Sequence, residues 1–181
     1  GGSYASFIAI LNPPGGQQAT VTATYYANGQ KVTQQQVNVP AGTRGTILPG
    51  QVSLPAHVAV VVISTQPVAV ERPTYFSNLH AGNAGTVSGA ADVIGVQNLS
   101  NDWLFAEGYT GGQFQENFVI ANVDPANATA NVTITLEFSD GTTKNFSISI
   151  GPSSQTTWNV NANAPGPVSY THLRAHETGR N

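Results

Sequence analysis

Val21-Thr22-Ala23-Thr24-Tyr25-Tyr26-Ala27-Asn28-Gly29 decides the fold. Val21, Ala23, Tyr25 and Ala27 alternate with Thr22, Thr24 and Tyr26. A period of two with a polar opposite face is the signature of a half-buried antiparallel strand. Asn-Gly after such a run predicts a hairpin with a type I′ turn, which needs positive φ at both central residues. The phrase returns at Val132-Thr133-Ile134-Thr135-Leu136, 111 residues further on, with Asp140-Gly141 in the place of Asn28-Gly29. Hairpins are therefore expected over 18–39 and 129–150.

The likeness runs outward from these hairpins. Val37 and Val39 match Ile148 and Ile150 at the same shift, and Ile8, Ile10 and Asn12 match Phe118, Ile120 and Asn122 at a shift of 110. The offset drifts by a residue around turns, where insertions are tolerated. The expectation is an all-β chain holding about one and a half tandem copies of a unit of about 111 residues. The first copy lacks its start and the second is truncated. Residues 103–114 have no counterpart upstream, and 57–76 have none downstream. Short strands with turns every 8–12 residues or so predict an immunoglobulin-like β-sandwich, with a barrel as the alternative. The boundaries read as a first copy over 1–80, a Gly/Ala-rich linker over 81–101, a second copy over 102–167 and a tail over 168–181. Ala91 to Val96 within the linker is a candidate edge strand. His57 to Ser64 is apolar on both faces and predicts a central, fully covered strand. Pro67 ends it, and Val68 to Val70 begins the next. No segment shows a helical amphipathic pattern.

Composition narrows the function classes. Charged residues are 8% of the 181, against about 25% in an ordinary soluble domain. With 6 basic and 9 acidic residues the net charge is −3, which argues against nucleic acid, whose recognition needs clustered Lys and Arg. No apolar run approaches the roughly 18 residues of a membrane-spanning helix, so no membrane insertion is expected. The chain has no Cys, hence no disulfide, thiolate metal site or Cys nucleophile. It opens on Gly1 without Met or a signal pattern, which reads as a mature product or an internal fragment.

The other end breaks the composition. Val168-Ser169-Tyr170-Thr171-His172-Leu173-Arg174-Ala175-His176-Glu177-Thr178 resembles a transposon-based sequencing adapter read as coding sequence. That resemblance implies a metagenomic source, a native chain ending near Pro167, and a disordered, non-native tail over 168–181. Without the tail four basic and eight acidic residues remain. The tail also carries the most metal-like motif, His172 and His176 four apart with Glu177 beside them. On a helix that spacing puts two imidazoles on one face, but a third ligand and the HExxH base are missing. No metal and no cofactor are expected.

Val68-Ala69-Val70-Glu71-Arg72-Pro73-Thr74-Tyr75-Phe76 and Gly89-Ala90-Ala91-Asp92-Val93-Ile94-Gly95 resemble a known pattern. So does Trp103-Leu104-Phe105-Ala106-Glu107-Gly108-Tyr109-Thr110-Gly111-Gly112, with Phe114 and Glu116 after it. The chain is similar, over most of 4–165, to a family of tandem repeats in large secreted and cell-surface bacterial proteins. The resemblance implies immunoglobulin-like modules without an assigned catalytic role, in stalks or surface layers. It implies an extracellular structural or adhesive protein whose partners are neighbouring copies or other surface proteins. Asn122-Val123-Asp124-Pro125 departs from the pattern, where a plainer Asn-Pro turn is expected.

Arg72 and Glu107 stand in family-like phrases, and in a chain so poor in charge they are a candidate structural ion pair. Trp103, Tyr109 and Phe114 are a candidate platform for polysaccharide, which would require exposed, coplanar rings. Trp158 aligns with Ile47, which places it in the core. Asp92, Asp102, Asp124 and Asp140 are isolated and read as turn residues rather than a calcium loop. His57 and His80 lie outside any nucleophile-elbow context, so no enzyme is expected. Sequons start at Asn98, Asn127, Asn131 and Asn145. A further structural reading is a filament subunit that assembles by strand exchange, donating residues 4–12.

Overall fold

The structure, a computed structural model, describes residues 3–80, 85–106, 108–112, 114–123, 128–164 and 169–177, the last in backbone only. It is nearly all β, in several antiparallel sheets. The chain divides into two compact units, Gly1–His80 with Thr86–Gln97 forming the first, and Gly85 with the described residues from Asn98 onward the second.

Unit 1 contains β1 (Ser3–Ser6), β2 (Ile8–Asn12), β3 (Ala19–Ala27), β4 (Gln30–Val39), β5 (Thr43–Ile47), β6 (Ala59–Ser64), β7 (Ala69–Glu71), β8 (Thr74–His80) and β9 (Thr86–Ala91). The sheets run β4-β3-β6, β5-β2-β7 and β1-β8-β9. Every second residue of β3 is buried, as the alternation requires. Ala19, Val21, Ala23 and Tyr25 of β3 meet Ile8 and Ile10 of β2, Val39 of β4 and Ile47 of β5 in one core. Burying each larger aliphatic side chain contributes about 1.5–3 kcal/mol, so this layer holds the first two sheets face to face.

Unit 2 contains β10 (Asp102–Phe105), β11 (Gly108–Tyr109), β12 (Asn117–Asn122), β13 (Ala130–Phe138), β14 (Thr143–Ile150), β15 (Ser154–Asn159), α1 (Val160–Asn163) and β16 (Ser169–Glu177). One sheet runs β10-β16-β13-β14, with β11 also on β16, and the other pairs β12 with β15. Val132, Ile134 and Leu136 of β13 pack with Phe118 of β12, Ile150 of β14, Trp158 of β15 and Val160 of α1. Asn159 caps α1 by accepting from the Ala162 amide at 2.7 Å.

The two hairpins form where the sequence places them, but their turns differ. Asn28 and Gly29 have φ of 51° and 81°, the type I′ geometry. At Asp140-Gly141 only the glycine is left-handed, at 82°. The Gly141 amide donates to the Phe138 carbonyl at 3.0 Å and the Phe138 amide to the Thr142 carbonyl at 2.9 Å. The expected second type I′ turn is instead a longer loop with a glycine bulge. Asp140 explains it: its Oδ1 accepts from the Thr142 amide at 2.9 Å and the Thr142 hydroxyl at 2.6 Å, which closes the loop without a left-handed Asp. These bonds hold the Asp140 carboxyl below the usual aspartate range.

Three other expectations are revised. β6 is not central: among the described strands only β3 pairs with it. Within 81–101 the strand is Thr86–Ala91 on β8 rather than the candidate Ala91–Val96, of which Ile94 makes a single bridge to Glu71. Where disorder was expected over 168–181, the backbone of Ser169–Glu177 is a strand lying between β13 and β10. The edge of β13 offers a row of backbone donors and acceptors, and any extended segment can satisfy it.

Candidate functional site

Two of the family-like phrases meet in unit 1. The Arg72 amide donates to the Val93 carbonyl at 2.8 Å, and the Gly95 amide donates to the Val70 carbonyl at 3.0 Å. Asp92 accepts from the Val93 amide at 2.9 Å. Pro73 separates β7 from β8, and its carbonyl accepts from the Phe7 amide at 3.0 Å. These bonds tie the two phrases together through their backbones. Arg72 is half-buried at this seam. Glu107, the other half of the candidate ion pair, lies outside the described residues.

The candidate platform is brought together only in part. Tyr109 and Phe114 are exposed, at 52% and 65%, with ring centroids 5.6 Å apart. Their planes stand at 66°, edge to face, whereas a sugar ring stacks on a flat surface. A Cβ at Gly111 would run into the Tyr109 ring, so the glycine is what lets that ring lie down. Asn161 of α1 latches the loop: its Nδ2 donates to the Phe114 carbonyl at 3.1 Å, and its Oδ1 accepts from the Glu116 amide at 3.1 Å. Trp103 is half-buried against the unit 2 core, and its indole N–H donates to the Ser100 carbonyl at 2.9 Å. Trp158 is buried, its ring 5.0 Å from Phe146 and 6.2 Å from Phe118.

The polar side chains that matter most in the cores were not singled out from sequence. Asn12 is 2% exposed, and its Nδ2 donates to the carbonyls of Gln17 and Val39, each at 2.9 Å. Asn122 is 7% exposed, and its Nδ2 donates to the carbonyls of Ala128, Ile150 and Gly151 at 2.7–3.2 Å. Each amide fastens the end of one sheet to the other, because Val39 and Ile150 end β4 and β14 while the asparagines end β2 and β12. The available signal was an Asn closing both members of a repeated apolar pattern, where a strand end should carry no preference for it. The Asp124-Pro125 departure next to Asn122 lies outside the described residues.

Among the described residues no group of three or more His, Asp or Glu gathers to hold a metal. His172 and His176 belong to a strand, where a spacing of four separates the backbones by about 13 Å, too far for the helical pairing considered from sequence. His57 is exposed just before β6. No family model, curated protein or solved structure matches the chain.

Proposed function

We propose that this chain is a non-catalytic structural or adhesive module of a bacterial cell-surface protein, acting outside the cell as a spacer or assembly unit. It is read as one and a half tandem copies of an immunoglobulin-like β-sandwich, with neighbouring copies as its main partners. The observation that carries this reading is the shared pairing scheme. The β2–β5 and β3–β4 pairs correspond to the β12–β15 and β13–β14 pairs in partners and, away from the hairpin turns, in register, down to the buried Asn12 and Asn122.

The outer sheet faces support an assembling role. They are tiled with neutral cross-strand hydrogen bonds, Gln36 to Thr22 at 3.0 Å and Thr20 to Asn38 at 3.0 Å in unit 1. Thr135 to Asn145 at 2.7 Å and Ser149 to Asn131 at 2.8 Å do the same in unit 2. Such faces carry few charges to repel a neighbour, and contacts between them are not screened by salt. The polysaccharide reading is weaker, because the Tyr109 and Phe114 rings are not coplanar. Strand donation by residues 4–12 is the weaker reading, since it would have to break the pairing of β1 with β8 and of β2 with both β5 and β7.

Sedimentation velocity of the full chain over a range of protein and salt concentrations tests the proposal. Concentration-dependent association that does not change between low and high salt is expected. A chain that stays monomeric throughout, or a saturable response to a glycan that Tyr109→Ala abolishes, would overturn it.

A further inference from the structure

β6 has the sequence of a covered strand and the place of an uncovered one. Ala59-Val60-Val61-Val62-Ile63-Ser64 has no charge, proline or glycine to blunt an edge. A continuous β-branched run of this kind belongs to strands flanked on both sides. Yet only β3 pairs with it among the described strands, and Ile63 is 68% exposed.

Unit 2 shows what stands beside the corresponding strand. Ala23 and Tyr25 of β3 face Val62 and Val60, and their counterparts Ile134 and Leu136 face Ala175 and Leu173 of β16. β16 thus occupies the β6 position. Its other edge is taken by β10, with Trp103 opposite Ala175, Leu104 opposite Arg174 and Phe105 opposite Leu173. We propose that the outer edge of β6 is a docking site for the Asp102–Phe105 strand of a second copy of this chain. This rests on the assembly reading above and names its contact.

The register follows from the correspondence. Trp103 falls opposite Val62, Leu104 opposite Val61 and Phe105 opposite Val60. The faces agree. Val60 and Val62 pack on the unit 1 core. Trp103 packs on the unit 2 core, and the Phe105 ring lies 5.2 Å from Phe118. Docked on β6, the two aromatics extend the unit 1 core by one strand, while exposed Leu104 joins exposed Ile63 on the outside. Moving β10 from β16 to β6 conserves the ladder hydrogen bonds. It also exchanges Ala, Arg and Leu neighbours for three valines, and aromatic beside β-branched is a favoured cross-strand pairing. The donor strand and the acceptor edge are different surfaces, so a single contact is heterologous and leaves a donor and an edge for further copies, giving an open series or, where the rotation closes, a ring.

The test uses the full chain and a peptide spanning Asn101–Gly111. Sedimentation velocity of the full chain should show association that increases with concentration. V61K/I63K puts two charges on the outward face of β6 and should weaken association at least tenfold, with an unchanged far-ultraviolet circular dichroism spectrum. The peptide should bind the full chain one to one, shorten the series and slow hydrogen exchange at residues 60–63. The same peptide with Trp103→Ala and Phe105→Ala should bind at least tenfold more weakly, a comparison that leaves folding untouched. Association that survives V61K/I63K, or a peptide that fails to bind, overturns the β6 site while leaving the assembly reading in place. A chain that stays monomeric yet binds the peptide at β6 upholds the edge and its ligand and overturns the assembly reading.

Discussion

The two units build the same seats from different chemistry. At positions 111 apart, Tyr25 corresponds to Leu136, Gln35 to Phe146 and Ile47 to Trp158. In unit 1 the Tyr25 hydroxyl donates to Gln35 Oε1 at 2.7 Å, and Gln35 Nε2 donates to the Leu48 carbonyl at 3.1 Å. In unit 2 the same place is apolar, with the Phe146 ring at 57° to Trp158. Tyr25 and Leu136 are both fully buried. A hydrogen-bonded chain and a pair of packed rings fill equivalent space between equivalent strands. The Asn12 and Asn122 fastenings at the strand ends do not vary. The strand ends therefore fix the sandwich-like frame, and its centre tolerates any side-chain set of the right volume whose polar atoms are satisfied.

The largest expected effect breaks the ring pair. Trp158→Ala should cost about 3–5 kcal/mol, and Ile47→Ala about 2–5 kcal/mol, because both leave cavities but the indole leaves the larger. Both tryptophans lie in unit 2, so emission from the remaining Trp103 follows that unit during urea unfolding, while circular dichroism follows both. A cost for Trp158→Ala no greater than for Ile47→Ala would show that the unit 2 centre relaxes around the hole.

The asparagines come next. Asn12→Ala and Asn122→Ala each remove a buried donor from carbonyls that then have no replacement, so each should cost about 1–3 kcal/mol. Similar losses are expected, since the two amides do the same work. Asn12→Asp should be worse than Asn12→Ala near neutral pH, because an ionised carboxylate can only accept and would face two carbonyls. The deficit should shrink in acid as the carboxyl gains a proton. Urea midpoints for the three variants check this. Losses that differ strongly between Asn12→Ala and Asn122→Ala would mean that the two fastenings are not equivalent.

The contrast between these elements also separates what was legible in the sequence from what was not. β3 and β13 could be read residue by residue, because period-two alternation is local and each buried position was already apolar. The Asn28-Gly29 turn was legible for the same reason. The Asp140-Gly141 turn was not, because Asp140 closes it through a side-chain bond to Thr142 that competes with the left-handed backbone. His57–Ser64 was legible in type but not in neighbours: an apolar strand announces that it wants cover, not where cover comes from. The strand at Ser169–Glu177 was not legible, because a composition foreign to the chain says nothing about whether an open strand edge can still pair with it. At the candidate platform the rings were visible in sequence and their angle was not. That angle depends on Gly111 and on the Asn161 latch, which reaches across 47 residues to Phe114.

The smallest effect sharpens the comparison through pH. Burial pushes the Tyr25 hydroxyl above the usual tyrosine value, because the phenolate is disfavoured where it has lost water. A raised folded-state value means the contribution is fully present below the unfolded value, about 10, and is lost as pH rises through the folded one. Tyr25→Phe removes the bond to Gln35 and should cost about 1 kcal/mol at neutral pH. It also removes the group whose ionisation drives unfolding in alkali. The stability curves of the wild type and Tyr25→Phe should therefore converge above about pH 10. Unit 2 carries Leu136 in that seat and has nothing there to titrate. Its tryptophan-detected transition should be indifferent to Tyr25→Phe. Parallel curves for the wild type and Tyr25→Phe across the alkaline range would mean that the hydroxyl reaches water in the folded state, and that the polar centre of unit 1 is open where the ring pair of unit 2 is closed.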